Sequence, residues 1–353
     1  MKIRILTQNP FSVWFGWVEQ QALKYIESVK KNDSNIDISI FSWEEESFDV
    51  LHIIGIHGWI NPYWIQVLQK KGVKIVVSPV FYVQPNSLFD FRRPFVYKLF
   101  SYIPHHVVAW MRQLLTRADL ILPNSYAEKI HLQQIFPSLC KNIEIIHNGV
   151  DPDYFVWADP ALAASKYALW DYILSVSHLE PRKNHKTLIK YFIRYIKQNP
   201  IRKIKLVLVW DYRGNYFSYH KELEKLIGEN QDSILHISWL SNSSELLKSL
   251  YLGAKAHILL SSLETPGISN IEAALAWKQL LVWDCDPVRE YFSTYASYLK
   301  KEDEKWFTYF MDSLLNPKLE NTKEQIDFIL DHYTWDKIGS QLINYYKNLC
   351  EVR

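Results

Sequence analysis

The stretch Glu264-Thr-Pro-Gly-Ile-Ser-Asn-Ile-Glu272 decides how this chain is read. It follows an apolar strand candidate, Ala256-His-Ile-Leu-Leu-Ser-Ser262, and runs into a helix former, Ile271-Glu-Ala-Ala-Leu-Ala-Trp277. Strand, glycine turn and helix start, in that order, aim free backbone N–H groups at an anion. Glu264 and Glu272 flank the Pro-Gly turn, beside such an anion, where a carboxylate can hold hydroxyl groups of whatever the phosphate carries. The pattern suits a nucleotide-diphosphate sugar. Two plainer readings compete: Glu264 as a solvated loop carboxylate, and Ser269-Asn-Ile-Glu272 as a capping box that needs no ligand.

Outward from that stretch, the chain alternates short apolar runs with longer amphipathic ones, the signature of parallel α/β layers. Strands are predicted at 2–6, 36–41, 50–54, 73–77, 120–122 and 143–146, then at 172–176, 204–209, 234–237, 257–260 and 280–282. Helices are predicted near 18–30, 62–70, 94–116 (interrupted at Pro104), 126–135, 184–197, 243–252, 323–331 and 336–349. The turn formers of His147-Asn-Gly-Val-Asp-Pro-Asp-Tyr-Phe155 mark a hinge between two halves.

Composition sets the outer limits. At 353 residues the chain has room for two domains. Forty basic against 38 acidic residues leave a net charge of +2, so no field demands nucleic acid. Cys140, Cys285 and Cys350 are odd in number and far apart, which fits neither a disulfide framework nor a zinc site and points to a reducing cytoplasm. The N-terminus reads as a buried first strand without a signal peptide's apolar stretch, and no window approaches the roughly 20 apolar residues of a membrane span. Only 10 glycines occur, against a usual share of roughly 7%. Gly16, Gly149 and Gly267 all fall at strand-to-helix or strand-to-loop junctions. Aromatic residues reach 15%, with 14 Trp, enough to fill cores, stack on sugars or meet a membrane interface.

Arg182 and Lys183 lie between a predicted strand and helix. Two fixed cations there could neutralise a diphosphate as it leaves; the plainer reading is a solvated basic run continuing to Lys186. The segment 89–110 mixes aromatics with Arg92, Arg93 and Lys98, which suits either an anionic bilayer or a helix packed under the N-terminal sheet.

Several stretches resemble, in collinear order, glycosyltransferase family 4, the retaining enzymes of GT-B fold that carry a double-glutamate motif. Glu264-Thr-Pro-Gly followed by Glu272-Ala273 is similar to the family's Glu-Gly-Phe-Gly and later Glu-Ala. Gly16-Trp-Val-Glu-Gln resembles its opening glycine loop, Asp49-Val-Leu-His its Asp-Val-Val-His strand, and Ala118-Asp-Leu-Ile-Leu-Pro-Asn-Ser125 its Ala-Asp, strand, Ser stretch. His147-Asn-Gly-Val-Asp151 resembles its interdomain signature, Ile173-Leu-Ser-Val-Ser-His-Leu-Glu-Pro-Arg-Lys-Asn184 its donor-phosphate loop, and Tyr333-Thr-Trp-Asp336 the start of its last helix. Two departures stand out. His178 occupies the place of a frequent arginine, whose charge Arg182 would supply. Ser78-Pro-Val-Phe-Tyr82 lacks a histidine found in many members, for which His57 is the candidate on the acceptor side.

The resemblance implies an α/β GT-B fold with two Rossmann-like domains facing across a cleft. An acceptor domain would span 1–155 and a donor domain 156–335, with a C-terminal helix, 336–353, packing back on the first. It implies transfer of a hexose from a nucleotide-diphosphate sugar to a saccharide or lipid-linked acceptor, with retention, in cell-surface polysaccharide or glycolipid synthesis. Glu264 and Lys183 would act at the reacting centre. Arg182, Glu272, Gly16 and the backbone of Gly267, Ile268, Ser269 and Asn270 would hold the donor. No cofactor, metal or nucleic acid is expected, and the cytoplasm is the expected compartment, with peripheral contact to the inner membrane face as an extension. A nucleotide-sugar 2-epimerase and an inactive accessory subunit are the alternatives.

Overall fold

The computed structural model describes all residues except 8–15, 45–46, 57–59, 82–97, 104–105, 138, 140–141, 210, 212–215, 239, 263, 265–266, 301–302, 315–321 and 352–353; of Trp17 and Thr322 it describes no side chain. Two compact units emerge: Met1–Gly149 with Tyr333–Arg353, and Val150–His332.

The first unit is built from β1 (Lys2–Thr7), α1 (Trp17–Asn32), β2 (Asp37–Ile40), β3 (Val50–Ile54), α2 (Pro62–Lys70), β4 (Lys74–Ser78), α3 (Val107–Arg117), β5 (Leu120–Ile121) and α4 (Tyr126–Ile135). Its parallel sheet has the order β2-β1-β3-β4-β5, with Ile3 paired to both Ile38 and Val50. β3 is buried along its whole length, as a central parallel strand covered on both faces must be. Ile3, Ile5, Ile54 and Val76 face Ala22 and Tyr25 of α1. Leu51, Ile53, Ile75 and Val77 face α2, α3 and α4 through Ile65, Leu114 and Leu132.

The second unit begins with α5 (Ala161–Tyr167) and runs through β6 (Asp171–Val176), α6 (His185–Gln198), β7 (Ile204–Val209), α7 (Phe217–Gly228), β8 (Ile234–Ile237), α8 (Glu245–Gly253), β9 (Ala256–Leu259), α9 (Ile268–Leu275), β10 (Gln279–Trp283), α10 (Asp286–Phe292), β11 (Ser297–Leu299), α11 (Glu304–Ser313) and α12 (Thr322–His332). Its sheet order, β11-β10-β9-β6-β7-β8, is the doubly wound order of a Rossmann unit. Ile173, Leu206, Leu208 and Ile258 pack there against Leu188 and Phe192 of α6.

Three expectations change. The strand expected at 143–146 reduces to one bridge, Ile143 to Ile121: the Ile146 N–H still donates to the Pro123 carbonyl in the same register, but Pro123 has no N–H to return the next bond. The helix expected across 94–116 begins in its described part at Val107, where His106 caps it by accepting the Val108 N–H. The short edge strand β11 was not anticipated; three residues carry no periodicity. No helix among the described residues is long and apolar enough to cross a membrane.

The last helix, α13 (Trp335–Glu351), belongs to the first unit and lies along α1. Ile338 and Leu342 join the α1 core, and Lys31–Asp336 and Lys347–Asp33 ion pairs flank the seam. The Tyr346 hydroxyl meets His52 Nδ1 at 2.6 Å, and His52 Nε2 meets Ser78 Oγ at 2.9 Å. Burial pushes the His52 pKa down to about 3, so this bridge is neutral. The helices approach at Gly339, where an added Cβ would lie 2.8 Å from the Ser28 backbone. Gly339→Ala should therefore cost about 1–3 kcal/mol in urea unfolding, as overpacking does. An unchanged midpoint would show that the seam yields freely.

Candidate active site

Two loops leave the carboxyl ends of adjacent strands, β6 and β9. From β6 the chain goes on to β7 on one side, while β9 lies on the other, so the strand order reverses here. Open α/β sheets bind ligands at such a point. The first loop carries Glu180 and a single 3₁₀ turn, Pro181–Lys183, before α6. The second carries Ser261, Ser262 and Glu264 before α9. Three hydrogen bonds stitch them: Ser262 N–H and Oγ donate to the Arg182 carbonyl (2.8 and 3.1 Å), and Asn184 Nδ2 donates to the Leu260 carbonyl (2.8 Å). Asn184 adopts a left-handed conformation, φ 54°, which asparagine tolerates better than most side chains.

Stitching brings Lys183 against Glu264. The Lys183 Nζ donates to Glu264 Oε1, and the two side chains are only 4% and 9% exposed. Burial pushes the Glu264 carboxyl up, but Lys183 and Arg182 outweigh it and hold the group below its ordinary value. Burial lowers Lys183, against the pull of Glu264. Arg182 is more exposed: its Nε donates to Glu180 Oε2 at 2.6 Å, and its guanidinium stands 3.7 Å from Glu264.

Gly267 turns the chain into α9 with φ 80°. A Cβ at this position would meet Asn270 Nδ2 at 2.9 Å and Glu264 Oε2 at 3.4 Å, so glycine is required by both conformation and space. Ile268, Ser269 and Asn270 form the buried first turn. The competing capping box of Ser269 and Glu272 does not form: Gly267 is the N-cap, and Glu272 Oε2 instead accepts the Tyr251 hydroxyl at 2.8 Å. Glu272 is 3% exposed, and burial pushes its pKa up to about 7; the nearby Asp151 adds to this, while the Tyr251 and Asn242 hydrogen bonds oppose it. Tyr154 donates to the Asn242 carbonyl at 2.7 Å, and the Phe155 ring packs edge-on against Tyr154 and Tyr251.

The second unit thus assembles Lys183, Arg182, Glu264, the 267–270 turn and Glu272 along one sheet edge. Gly16 stands in the first unit as the N-cap of α1, its N–H donating to Glu19 Oε2 at 2.7 Å. His57 lies outside the described residues, as do 89–97 of the aromatic and basic segment. Asn184, Tyr251, Tyr154 and Asn242 were not singled out from sequence. Asn184 closes the Ile173–Asn184 stretch and Tyr154 lies in the hinge stretch, so both had a signal; Tyr251 and Asn242 carry none. Among the described residues no group of three His, Cys, Asp or Glu side chains could hold a metal ion.

Residues 170–325, all within the second unit, match the family model of Glycosyl transferases group 1. No curated protein matches the chain. Solved structures share its fold across nearly its whole length. Anabaena Alr3699/HepE in complex with UDP aligns at a TM-score of 0.73 and 13% identity, covering 99% of this chain and 100% of that one. A glycosyltransferase from Rickettsia africae ESF-5 aligns at 0.71 and 16%, covering 100% and 99%. The E. coli trehalose-6-phosphate structure bound with UDP-2-fluoro glucose aligns at 0.76 and 11%, covering 100% of each. The fold is accordingly that of GT-B glycosyltransferases, two Rossmann-like units with parallel sheets.

The Glu272 environment has a measurable consequence. Its folded pKa lies above the ordinary 4.5, so between about pH 4.5 and 7 the folded chain keeps a proton that the unfolded chain releases. That favours folding below this window and is lost as pH rises through it. Relative to Glu272→Gln, the wild type should lose up to about 1.4 kcal/mol of stability per pH unit across the window. Parallel stability curves for the two proteins would refute a protonated Glu272.

Proposed function

We propose that the chain transfers a hexose from a nucleotide-diphosphate sugar to a saccharide or lipid-linked acceptor, with retention of configuration. The observation that carries this reading is the buried Lys183–Glu264 pair at the strand-order reversal, beside the start of α9. In a ligand-free site the two charges compensate each other. An arriving diphosphate offers Lys183 a second anion, and Glu264 is then released toward the hydroxyls of the sugar. The family match over 170–325 and the UDP-containing structures of like fold support a nucleotide donor on the second unit, with uridine as the first base to test.

The bond from the anomeric carbon to the diphosphate oxygen breaks as a bond to the acceptor oxygen forms. The acceptor's proton passes to the departing phosphate on the same face, so no dedicated protein base is required. Charge gathers on the diphosphate, where Lys183, Arg182 and the α9 N-terminus can stabilise it. These groups take the part a metal ion plays in other transferases. Arg182 must exchange Glu180 for the phosphate to contribute. Glu272, at the Tyr251 and Asn242 end, is suited to hold ribose hydroxyls.

A lipid-linked acceptor, and with it peripheral contact at a membrane's inner face, is favoured by the segment after residue 97. Leu99, Tyr102, Ile103 and Val107 are all exposed there, and the Arg112 guanidinium lies 4.7 Å over the Tyr102 ring. Exposed apolar side chains beside cations suit an anionic bilayer.

Thermal-shift titration with UDP-, GDP-, ADP- and dTDP-sugars should reveal one stabilising donor. With that donor, Glu264→Ala should lower turnover about 100-fold or more, the scale of losing one preorganised charged group. Turnover should persist in excess EDTA. If Glu264→Ala changes only the melting temperature, the pair is structural and the reading fails. Flotation should show the protein on anionic vesicles at low salt and not at high salt; indifference to vesicles would favour a soluble acceptor.

A further inference from the structure

Trp43 stands just beyond β2, the edge strand of the first sheet, in a group with Phe41, Phe48 and Trp64. Its ring centroid lies 5.0 Å from that of Phe41, edge-on, and 5.1 Å from that of Trp64 in the first turn of α2. Phe41 also meets Phe48 and Trp64 edge-on, at 5.7 and 5.5 Å. Phe41, Phe48 and Trp64 have a reason in packing, because they lie against the core beneath α2, α3 and α4. Trp43 does not join that core. It rests on the other rings and is 76% exposed. Trp157 and Trp170 are exposed as well, but no ring contact holds them among the described residues. An indole fixed by its neighbours has already lost its side-chain freedom, so a ligand that lies on it need not order it.

The charge along this stretch selects the ligand. Between Lys31 and Lys70 the sequence contains no lysine or arginine, and Trp43 runs into Glu44-Glu45-Glu46. Glu44 is exposed and has no cationic partner among the described residues, none of which sets a lysine or arginine over the Trp43 or Trp64 ring. Such surroundings repel an anionic bilayer or a nucleic acid. They suit a ligand with one flat apolar face and hydroxyl donors around it. A pyranose has both: C–H groups to lie on the indole, and hydroxyls for a carboxylate to accept. Size agrees. An indole side chain presents roughly 150–250 Å², near the footprint of a sugar ring, whereas each partner of a stable protein interface covers about 800 Å². We propose that Trp43, with Glu44 after it, is a platform for a neutral oligosaccharide chain. The platform does not rest on the transfer reading above.

Calorimetric titration of the full chain with maltotetraose, cellotetraose and laminaritetraose tests this, with tetragalacturonate as the charged counterpart. At least one neutral tetrasaccharide should bind the wild type. Its affinity should fall tenfold or more in Trp43→Ala and stay within threefold in Trp43→Tyr, which keeps a ring. Tetragalacturonate should bind at least tenfold more weakly than the best neutral chain, and Glu44→Gln should narrow that gap. Saturation-transfer NMR gives a reading on the unaltered protein: the C–H protons of one pyranose face should receive most of the saturation. The platform is overturned if no neutral tetrasaccharide binds, if binding survives Trp43→Ala, if tetragalacturonate binds best, or if saturation spreads evenly over the sugar. It is overturned too if Trp43→Ala abolishes flotation on zwitterionic vesicles, which would make the indole a membrane anchor.

Discussion

A lysine and a glutamate share one buried contact between two loops, and most of the second unit's carboxyl edge is arranged to permit it. Burying either charge alone would cost several kcal/mol, and even together their attraction barely repays desolvation. The contact therefore needs its surroundings fixed. Fixing comes from the Ser262 and Asn184 hydrogen bonds to the opposite loop, from the left-handed turn at Asn184 that ends the 3₁₀ turn at Lys183, and from Gly267, which leaves space for Glu264 Oε2. A replacement of the pair by apolar residues would suit stability as well. Its retention beside a helix start makes sense when a third charge is due to enter, because a compensated pair can exchange partners without ever leaving a lone buried ion.

Most of this edge was legible in the sequence, for a physical reason. Parallel strands covered on both faces are written as unbroken apolar runs, so β3, β6, β7 and β9 stood out, and the residues after β6 and β9 were thereby placed at the binding edge. What escaped detection depends on conformation or on distant packing. The capping box was the plainer rival reading of Ser269 and Glu272; it yields because Gly267 takes a left-handed φ that starts the helix earlier and turns Glu272 inward to Tyr251. Tyr154, in the hinge stretch, lies far along the chain from Asn242 and Tyr251, before and within α8, and no local spacing announces their meeting. β11 is too short to carry a pattern.

Scarcity of glycine leaves a further mark. Positive φ is carried by Val80, Asn142, Trp157, Ala168, Asn184, Trp277 and Ser293 as well as by glycines. Trp277 is instructive, because it fills the left-handed position after α9 that glycine usually takes: its N–H donates to the Ala274 carbonyl and the Lys278 N–H to that of Ala273. The geometry of the turn is thus enforced by its hydrogen bonds rather than by its residue. Positive φ and short space coincide at Gly267 beside Glu264; helical Gly339 is held by space alone, against Ser28, and Gly72 by conformation alone, with open space around it.

The two units use one architectural device with opposite charge. Each has a strand-order reversal, and each begins a helix there. In the second unit the reversal carries Lys183 and Arg182 around a carboxylate, a composition that can take on further negative charge. In the first it carries Glu19 at the helix start, one oxygen committed to Gly16 and the other without a donor among the described residues. Two helix starts at equivalent points of two sheets are thus closed differently: that of α9 lies beside a charge pair that can exchange partners, whereas that of α1 is closed by its own carboxylate, which takes up the Gly16 N–H.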